Sequence, residues 1–286
     1  MKSLRIGYST CPNDTYILAE LGGASSLSIT FEPVLADVER LNQWALEGRL
    51  EVTKLSFFAL GQVRETYGLL HAGAALGRGC GPVLVARSGT ALGKLRTAVV
   101  AAPGELTTAR LLLSLHLKRE PILRQMVFFE VMPAVARGEA DFGLVIHEGR
   151  FTYREHGLEL LFDLGEWWES ETGSPIPLGG IAVRRDLGSE VAMEVDRAIR
   201  ASLTAAHSGS LRVMEYVLAH AQEMSPAVVR QHIDLYVNDF SFHLGPLGRK
   251  AAELLLGRAQ EVGLVPPSRL PLMAYDESAS ADSPPK

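Results

Sequence analysis

Short apolar runs alternate with amphipathic segments along the first two-thirds of the sequence, and this alternation constrains the fold more than any other feature. The runs that predict strands are residues 4–9, 29–34, 51–54, 82–87, 97–102, 126–130, 142–146 and 180–185. The intervening segments that predict helices are residues 14–21, 38–46, 57–64, 107–117 and 132–137, the first ending at Gly22 and Gly23. Strands that alternate with helices form βαβ units, in which neighbouring strands run parallel. The sequence therefore predicts an α/β fold with largely parallel sheets.

Two strand-like runs of similar shape, residues 82–87 and 180–185, enclose a self-contained series of strands and helices. Beyond the second run, helical spacing continues through residues 191–207, 211–221, 226–235 and 248–262. This order predicts a chain that starts in one lobe, crosses to an inserted lobe and returns. We expect lobe 1 to comprise residues 1–88 and 185–275, lobe 2 residues 89–184, and a disordered tail residues 276–286. A small molecule is expected in the central cleft between the lobes.

The composition argues against several classes of partner. The 286 residues are 47% apolar and 21% charged, which is sufficient for a sizeable core. The net charge of −5 disfavours binding to nucleic acid or to an anionic membrane surface. The sequence contains no run of the roughly 20 apolar residues that a membrane helix needs, and its N-terminus has no apolar stretch typical of a secretion signal. We therefore expect a cytoplasmic protein with a small-molecule substrate; the sequence does not specify its oligomeric state.

The sequence carries no recognisable cofactor or metal motif. Its two cysteines, Cys11 and Cys80, are far apart and belong to no Cys-x-x-Cys pair, so we expect thiols rather than a metal site. The glycine-rich segment 76–82 lacks the G-x-G-x-x-G register and opens no helix, which disfavours a dinucleotide site. Trp167 and Trp168 could wall a flat aromatic ligand, although packing in the core is the commoner role for such a pair.

Three predicted helices begin at polar residues that suit an anionic ligand. These residues are Asn13 and Asp14, then Lys54 and Ser56, and finally Thr107 and Thr108, followed by the backbone amide of Ala109. A helix start offers unpaired N–H groups and the positive end of the helix dipole. If the three starts face one cleft, they form a receptor for a carboxylate. The alternative, which these residues leave open, is that each merely caps its own helix.

A histidine follows the predicted strand 142–146 directly and is the best candidate for proton transfer. Ligands of open α/β sheets bind outside the carboxyl ends of the strands, which is where His147 lies. An imidazole with a pKa near 6.5 can act as a base near neutral pH. Glu148 is its neighbour, but adjacent residues point in different directions, so we predict no dyad between them. The remaining histidines are interpreted as surface or packing residues: His71, His116, His156, His207, His220, His232 and His243.

Several stretches together resemble the 1,4-dihydroxy-6-naphthoate synthase family of the futalosine route to menaquinone. They read STCPNDTYIL, TKLSFFA, ALGRGCGP, TTARLLLSL, GLVIHEGRFTY, LGEWWE and PLGGIAVRRDLG, and the resemblance extends from about residue 4 to residue 271. It implies a two-lobed fold of the periplasmic-binding-protein type II. It also implies a lyase without a cofactor, which converts cyclic dehypoxanthinyl futalosine to 1,4-dihydroxy-6-naphthoate and releases a three-carbon fragment.

The resemblance also implies roles for individual residues. The histidine of the I-H-E-x-R-F-T-Y motif, here His147, is the family's catalytic base. The family's substrate contacts correspond here to Lys54, Leu55, Ser56, Thr108 and Ala109. To these we add four further candidates of our own: Asn13, Asp14, Thr107 and Arg150.

Two other functions remain open at the level of sequence. One is chorismate dehydratase, a sister activity on the same fold, although the histidine motif favours the synthase. The other is a cytosolic protein that binds a small carboxylate without catalysis. Because one fold hosts many functions, the site residues must decide among them.

Overall fold

The computed structural model describes residues 2–21, 28–222 and 225–277, which form two mixed α/β lobes. The strands of the first sheet are β1 (Lys2–Tyr8), β2 (Ile29–Leu35), β3 (Val52–Ser56), β4 (Tyr67–Leu69), β5 (Ala75–Gly77) and β11 (Ile176–Arg184). The helices from the same parts of the chain are α1 (Pro12–Leu18), α2 (Val38–Leu46), α3 (Phe57–Gln62), α8 (Ser189–His207), α9 (Leu211–His220), α10 (Pro226–Tyr236), α11 (Asp239–Phe242) and α12 (Gly245–Glu261).

The second sheet is built from one continuous stretch of chain. Its strands are β6 (Val83–Arg87), β7 (Val99–Ala102), β8 (Ile122–Gln125), β9 (Phe142–Val145) and β10 (Leu158–Asp163). The helices in this stretch are α4 (Thr108–Leu117), α5 (Phe128–Ala136), α6 (Gly149–Thr152) and α7 (Leu164–Thr172).

Both sheets are mixed, whereas the sequence predicted largely parallel sheets. The first has the strand order β2-β1-β3-β11-β4, with β5 also paired to β11, and the second the order β10-β6-β9-β7-β8. The pairs β1–β2, β1–β3, β7–β8 and β7–β9 are parallel, as expected for βαβ units. By contrast, β11 runs antiparallel to its three neighbours, and β6 to both of its own. These are the two strands at which the chain enters a sheet from the other lobe.

Strand pairing shows where the chain changes sheets. It leaves the first sheet after β5, enters the second at β6, and returns at β11. By this criterion β6 belongs to the second sheet, although the predicted limits put it in lobe 1. Likewise β11 belongs to the first sheet, although the predicted limits put it in lobe 2. Those limits themselves, 1–88 with 185–275 and 89–184, stay a prediction.

The strand predicted at residues 126–130 is wrong. The strand in this part of the chain is β8 at Ile122–Gln125, and helix α5 begins at Phe128. The buried residues of α5 include Val131, Met132 and Val135, which recur at helical spacing. β8 is an edge strand with mostly exposed side chains, so it lacks the apolar run by which buried strands are recognised.

The core is shared between the two sheets. One cluster of buried side chains includes Leu55 and Leu69 from the first sheet together with Leu84 and Val100 from the second. Trp168 also belongs to this cluster, fully buried, and donates from Nε1 to the Pro175 carbonyl. Trp168 therefore packs in the core, which was the alternative to its forming the wall of a ligand site.

Two predictions fall partly outside the described residues. The helix end at Gly22 and Gly23 and the tail from residue 278 onward both lie there. Within the described part, Glu277 contacts Arg200 and His243 through its carboxylate. Among the described helices, none is long and apolar enough to cross a membrane.

Candidate functional site

A cavity lies between the two sheets and is lined from both lobes. Of the ten residues selected from sequence, nine line it: Asn13, Asp14, Lys54, Leu55, Ser56, Thr107, Thr108, Ala109 and His147. These residues lie at or beyond the carboxyl ends of the parallel strands β1, β3, β7 and β9. Their convergence follows from topology, since the carboxyl ends of parallel strands share one edge of a sheet.

The pairing of strands fixes the positions of the residues beside this cavity. Gly179 of β11 pairs with Ser56 of β3, and Val83 of β6 pairs with Val145 of β9. A Cβ on Gly179 would lie 2.9 Å from the Leu55 carbonyl oxygen. The two strands approach closely there because the position carries no side chain.

Lys54 and Asp14 form a buried ion pair on the first-lobe side. The Lys54 Nζ lies 2.7 Å from Asp14 Oδ1 and also donates to the Gly73 carbonyl at 3.1 Å. Asp14 accepts further hydrogen bonds from Ser9 Oγ at 2.7 Å and Asn13 Nδ2 at 2.9 Å. A buried pair is tolerated when hydrogen bonds satisfy both charges, as they do here. The lysine charge predicted to attract an anion is therefore balanced within the protein.

Ser56 is held by its neighbours rather than by its own helix. Its side chain does not cap α3; instead Ser56 Oγ accepts from Asn42 Nδ2 at 3.1 Å. The Ser56 amide donates to Asn42 Oδ1 at 3.0 Å. Among the described residues, the Ser56 hydroxyl proton has no acceptor, so it is available to a ligand in the cavity.

Thr108 joins the two lobes. Its Oγ1 accepts from the Phe57 amide at 2.9 Å, which fills the first vacant donor of α3, and donates to the Leu178 carbonyl at 2.6 Å. The true cap of α4 is Thr107, whose Oγ1 accepts from the Arg110 amide at 3.3 Å. The amides of Thr108 and Ala109 remain without an acceptor within the described part of the chain. They form the helix-start donor pair that suits an anion.

His147 has an unusual backbone conformation at the end of β9. Its φ of +57° lies in the left-handed region, which few residues other than glycine adopt. The ring packs edge-on against Phe128, with 5.1 Å between centroids. In the described part of the chain its buried Nε2 has no hydrogen-bond partner. Strained backbone of this kind concentrates at functional sites, because surrounding structure must hold it in place.

Burial keeps the His147 imidazole neutral. Removal from water lowers its pKa from the usual 6.5 to about 4; the Asp14 carboxylate opposes this shift and the Lys54 ammonium reinforces it. A neutral imidazole has a free lone pair at neutral pH. The ring is therefore in the state that can accept a proton from a ligand.

His232, which was interpreted from sequence as a surface or packing residue, also lines the cavity. This histidine of α10 is 1% exposed, donates from Nε2 to Asn13 Oδ1 at 2.9 Å, and stacks near His147 with 6.1 Å between ring centroids. Burial lowers its pKa well below the usual value, and the positive charge of Lys54 acts in the same direction. A signal was present, since Val229, His232, Ile233 and Tyr236 share the buried face of one helix.

Arg150 is the one predicted residue that does not line the cavity. Its guanidinium pairs with Asp163 at 2.7 Å and donates to the Gly81 carbonyl at 2.8 Å. Asp163 in turn caps α7 by accepting from the Gly165 amide at 2.8 Å. Arg150 thus secures the segment where the chain enters the second sheet.

One group of side chains near His147 has the composition of a metal site. Cys11, His147 and Glu148 each place a donor atom within 4.8 Å of the others. A metal needs the thiolate, yet burial raises the pKa of Cys11 well above its usual value, and the charges of Glu148 and Asp14 raise it further. Because the thiol stays protonated, the group does not suit a metal centre.

Comparison with known proteins points to one family. The model of a family described as menaquinone biosynthesis matches residues 4–261. A protein of Thermus thermophilus named 1,4-dihydroxy-6-naphtoate synthase is 47% identical over 274 residues, which are 95% of this chain and 99% of that protein. A Streptomyces coelicolor protein of the same name is 46% identical, with 92% and 95% covered.

Solved structures agree on the architecture. A protein of Archaeoglobus fulgidus has a TM-score of 0.85 and 32% identity, covering 92% of this chain and 98% of its own. A Candida albicans protein described as having the generic periplasmic binding protein fold has a TM-score of 0.65 and 14% identity, with 94% and 92% covered. The predicted two-lobed fold of this type is confirmed.

Proposed function

This chain belongs to the menaquinone-biosynthesis family, and from that premise we propose that it acts as a 1,4-dihydroxy-6-naphthoate synthase. The reaction is the conversion of cyclic dehypoxanthinyl futalosine to 1,4-dihydroxy-6-naphthoate with loss of a three-carbon fragment. The observation that carries the proposal is the cavity, which brings a neutral His147 together with vacant helix-start donors. The two curated relatives of that name support the same reading.

Substrate binding begins with the carboxylate. The vacant amides of Thr108 and Ala109, together with the Ser56 hydroxyl, offer three donors to its oxygens. Because the ammonium of Lys54 is paired with Asp14, this recognition relies on hydrogen bonds and the dipole of α4 rather than on a free cation. The Thr108 hydroxyl is already engaged by Phe57 and Leu178, so Thr108 contributes its backbone N–H.

The chemical step then uses His147 as a general base and makes the protein a carbon–carbon lyase. Its imidazole takes the proton of a substrate hydroxyl, the oxygen forms a carbonyl, and the adjacent carbon–carbon bond breaks in a retro-aldol sense. The electron pair released enters the ring system, which becomes aromatic as naphthalene. General-base assistance of this kind is worth about 10²–10⁴-fold in rate.

The decisive experiment incubates the purified protein with cyclic dehypoxanthinyl futalosine and follows the naphthoate product by chromatography. We expect His147→Asn to lower kcat by about 10²–10⁴-fold while leaving the fold intact. Asparagine is preferred to alanine because it tolerates a positive φ. The exposed His156, changed to asparagine, is the matched control and keeps full activity.

Three results would overturn the proposal. Product formation by His147→Asn at the wild-type rate would show that His147 is not the catalytic base. Binding of the substrate without turnover by the wild-type protein indicates a non-catalytic receptor. Conversion of chorismate in place of the futalosine derivative assigns the sister dehydratase activity instead.

A further inference from the structure

A second group of titratable side chains lies outside the cavity, on the first lobe. His71 is in the loop between β4 and β5, His243 lies between α11 and α12, and Glu277 is in the C-terminal segment. The three residues place one donor atom each within 4.8 Å of the others. They are 172 and 34 residues apart along the chain (71 to 243 and 243 to 277), so tertiary structure alone brings them together.

The two imidazoles converge on a single carboxylate oxygen. Glu277 Oε2 lies 2.7 Å from His243 Nε2 and 3.5 Å from His71 Nδ1. The rings are nearly parallel, with 21° between their planes and 5.6 Å between their centroids. Two imidazole nitrogens and a carboxylate oxygen are a ligand set that zinc uses, with a fourth position left for water.

The surrounding contacts resemble those that orient metal ligands. The other nitrogen of His71, Nε2, lies 3.3 Å from the Tyr275 carbonyl, so a proton there leaves the Nδ1 lone pair facing Glu277. Histidines that bind metals usually donate their second ring N–H to such a carbonyl or carboxylate. Arg200 donates to Glu277 Oε1 at 2.9 Å and thereby turns Oε2 toward the rings. The charge of Arg200 is balanced in part by Asp196, at 2.5 Å.

The loop that carries His71 is rigidly held. The His71 carbonyl accepts from the Leu244 amide at 2.7 Å, and the Gly73 amide donates to the Ser241 carbonyl at 2.8 Å. The side chain of His71 is 10% exposed, whereas those of Glu277 and His243 are 35% and 43% exposed. A tetrahedral zinc ion keeps ligand atoms about 3.3 Å apart. The two exposed side chains can adjust to that spacing around the fixed His71.

We propose that His71, His243 and Glu277 form a binding site for a divalent transition-metal ion, with Zn²⁺ as the best match. Imidazole and carboxylate together favour Zn²⁺ over Ca²⁺ or Mg²⁺, which prefer oxygen ligands alone. The bound ion fixes the C-terminal segment to the first lobe. His71 is two residues from Gly73, whose carbonyl accepts a hydrogen bond from Lys54 of the cavity.

The test is a calorimetric titration of the full chain with Zn²⁺ alone, after dialysis against a chelator. Because Cys11, His147 and Glu148 form a second donor group, the informative quantity is the difference between variants. We expect His243→Ala and Glu277→Gln each to lose one equivalent of bound zinc, or to weaken one equivalent by about tenfold or more. His156→Ala, which also removes an exposed histidine, keeps the wild-type isotherm.

Thermal unfolding supplies an independent measurement. An ion bound only to the folded state raises the unfolding temperature in a concentration-dependent way. We expect Zn²⁺ to raise it less in His243→Ala and Glu277→Gln than in the wild type. The proposal is overturned if the wild-type protein binds no zinc, or if both variants bind it with unchanged stoichiometry and affinity.

Discussion

The pKa of His147 links the candidate base to the stability of the fold. The folded state holds this pKa near 4, whereas an unfolded histidine has a pKa near 6.5. Between these values the unfolded chain binds more protons than the folded one, so the free energy of unfolding rises with pH. The contribution of His147 is complete above about pH 6.5 and is lost as the pH falls toward 4. His232, whose pKa is also lowered, acts in the same direction.

We therefore expect the wild-type protein to lose stability when the pH is lowered from about 7 to about 5. The titratable groups near His147 are Asp14 and Lys54, whose charges act on its pKa, together with His232, Glu148 and Cys11. Urea unfolding at the two pH values measures the loss, which we expect to be smaller in His147→Asn. An equal loss in that variant and in the wild type would contradict the assignment.

The buried ion pair of Lys54 and Asp14 leads to a second prediction, which concerns the stability of single and double variants. Removing one partner of a buried pair leaves the other charge uncompensated, at a cost of about 3–5 kcal/mol. We expect Lys54→Met to destabilise the protein by this order, and the double variant with Asp14→Asn to recover much of the loss. A double-mutant cycle of chemical unfolding measures the coupling. Strict additivity of the two changes would show that the charges do not depend on each other.

At the scale of elements, the start of α4 connects the lobes through one hydroxyl. Thr108→Val keeps the shape of the side chain but removes the acceptor for the Phe57 amide and the donor to the Leu178 carbonyl. Loss of these bonds costs about 1–3 kcal/mol. Because α3 and α4 would shift relative to each other, we also expect the KM for substrate to rise.

The control is Thr172→Val in α7. Thr172 Oγ1 likewise makes two hydrogen bonds, donating to the Trp168 carbonyl at 2.7 Å and accepting from the Ser174 amide at 3.1 Å, but it lies outside the cavity lining. A similar loss of stability with an unchanged KM is expected. Equal effects of the two variants on KM would refute the connecting role of Thr108.

Much of the candidate site could be predicted from sequence because its residues stand at the ends of strongly patterned elements. Ser56 and His147 each end or follow a buried strand, and Thr107 opens a helix with clear apolar spacing. The helical spacing around His232 indicates that it lies on a buried face, but the spacing does not show which cavity that face lines. Arg150 was placed in the site by its nearness to His147 in sequence, whereas its partners are Asp163 and Gly81.

At the scale of the whole molecule, the shared core makes the lobes interdependent. The cluster that contains Leu55 and Leu69 continues through Leu84 and Val100 without interruption. Separating the lobes would expose this surface to water on both sides. We therefore expect a single calorimetric unfolding transition with equal calorimetric and van't Hoff enthalpies. Two resolved transitions would show that the lobes unfold independently.

The order of strands in the first sheet also bears on how this protein folds while it is being synthesised. β11 lies between β3 and β4, yet it leaves the exit tunnel only after every strand of the second sheet has been made. Until then β3, β4 and β5 lack the neighbour with which each of them pairs. The second sheet comes from one unbroken stretch and meets no such delay. During synthesis, the second sheet can therefore complete its strand pairing before the first sheet does.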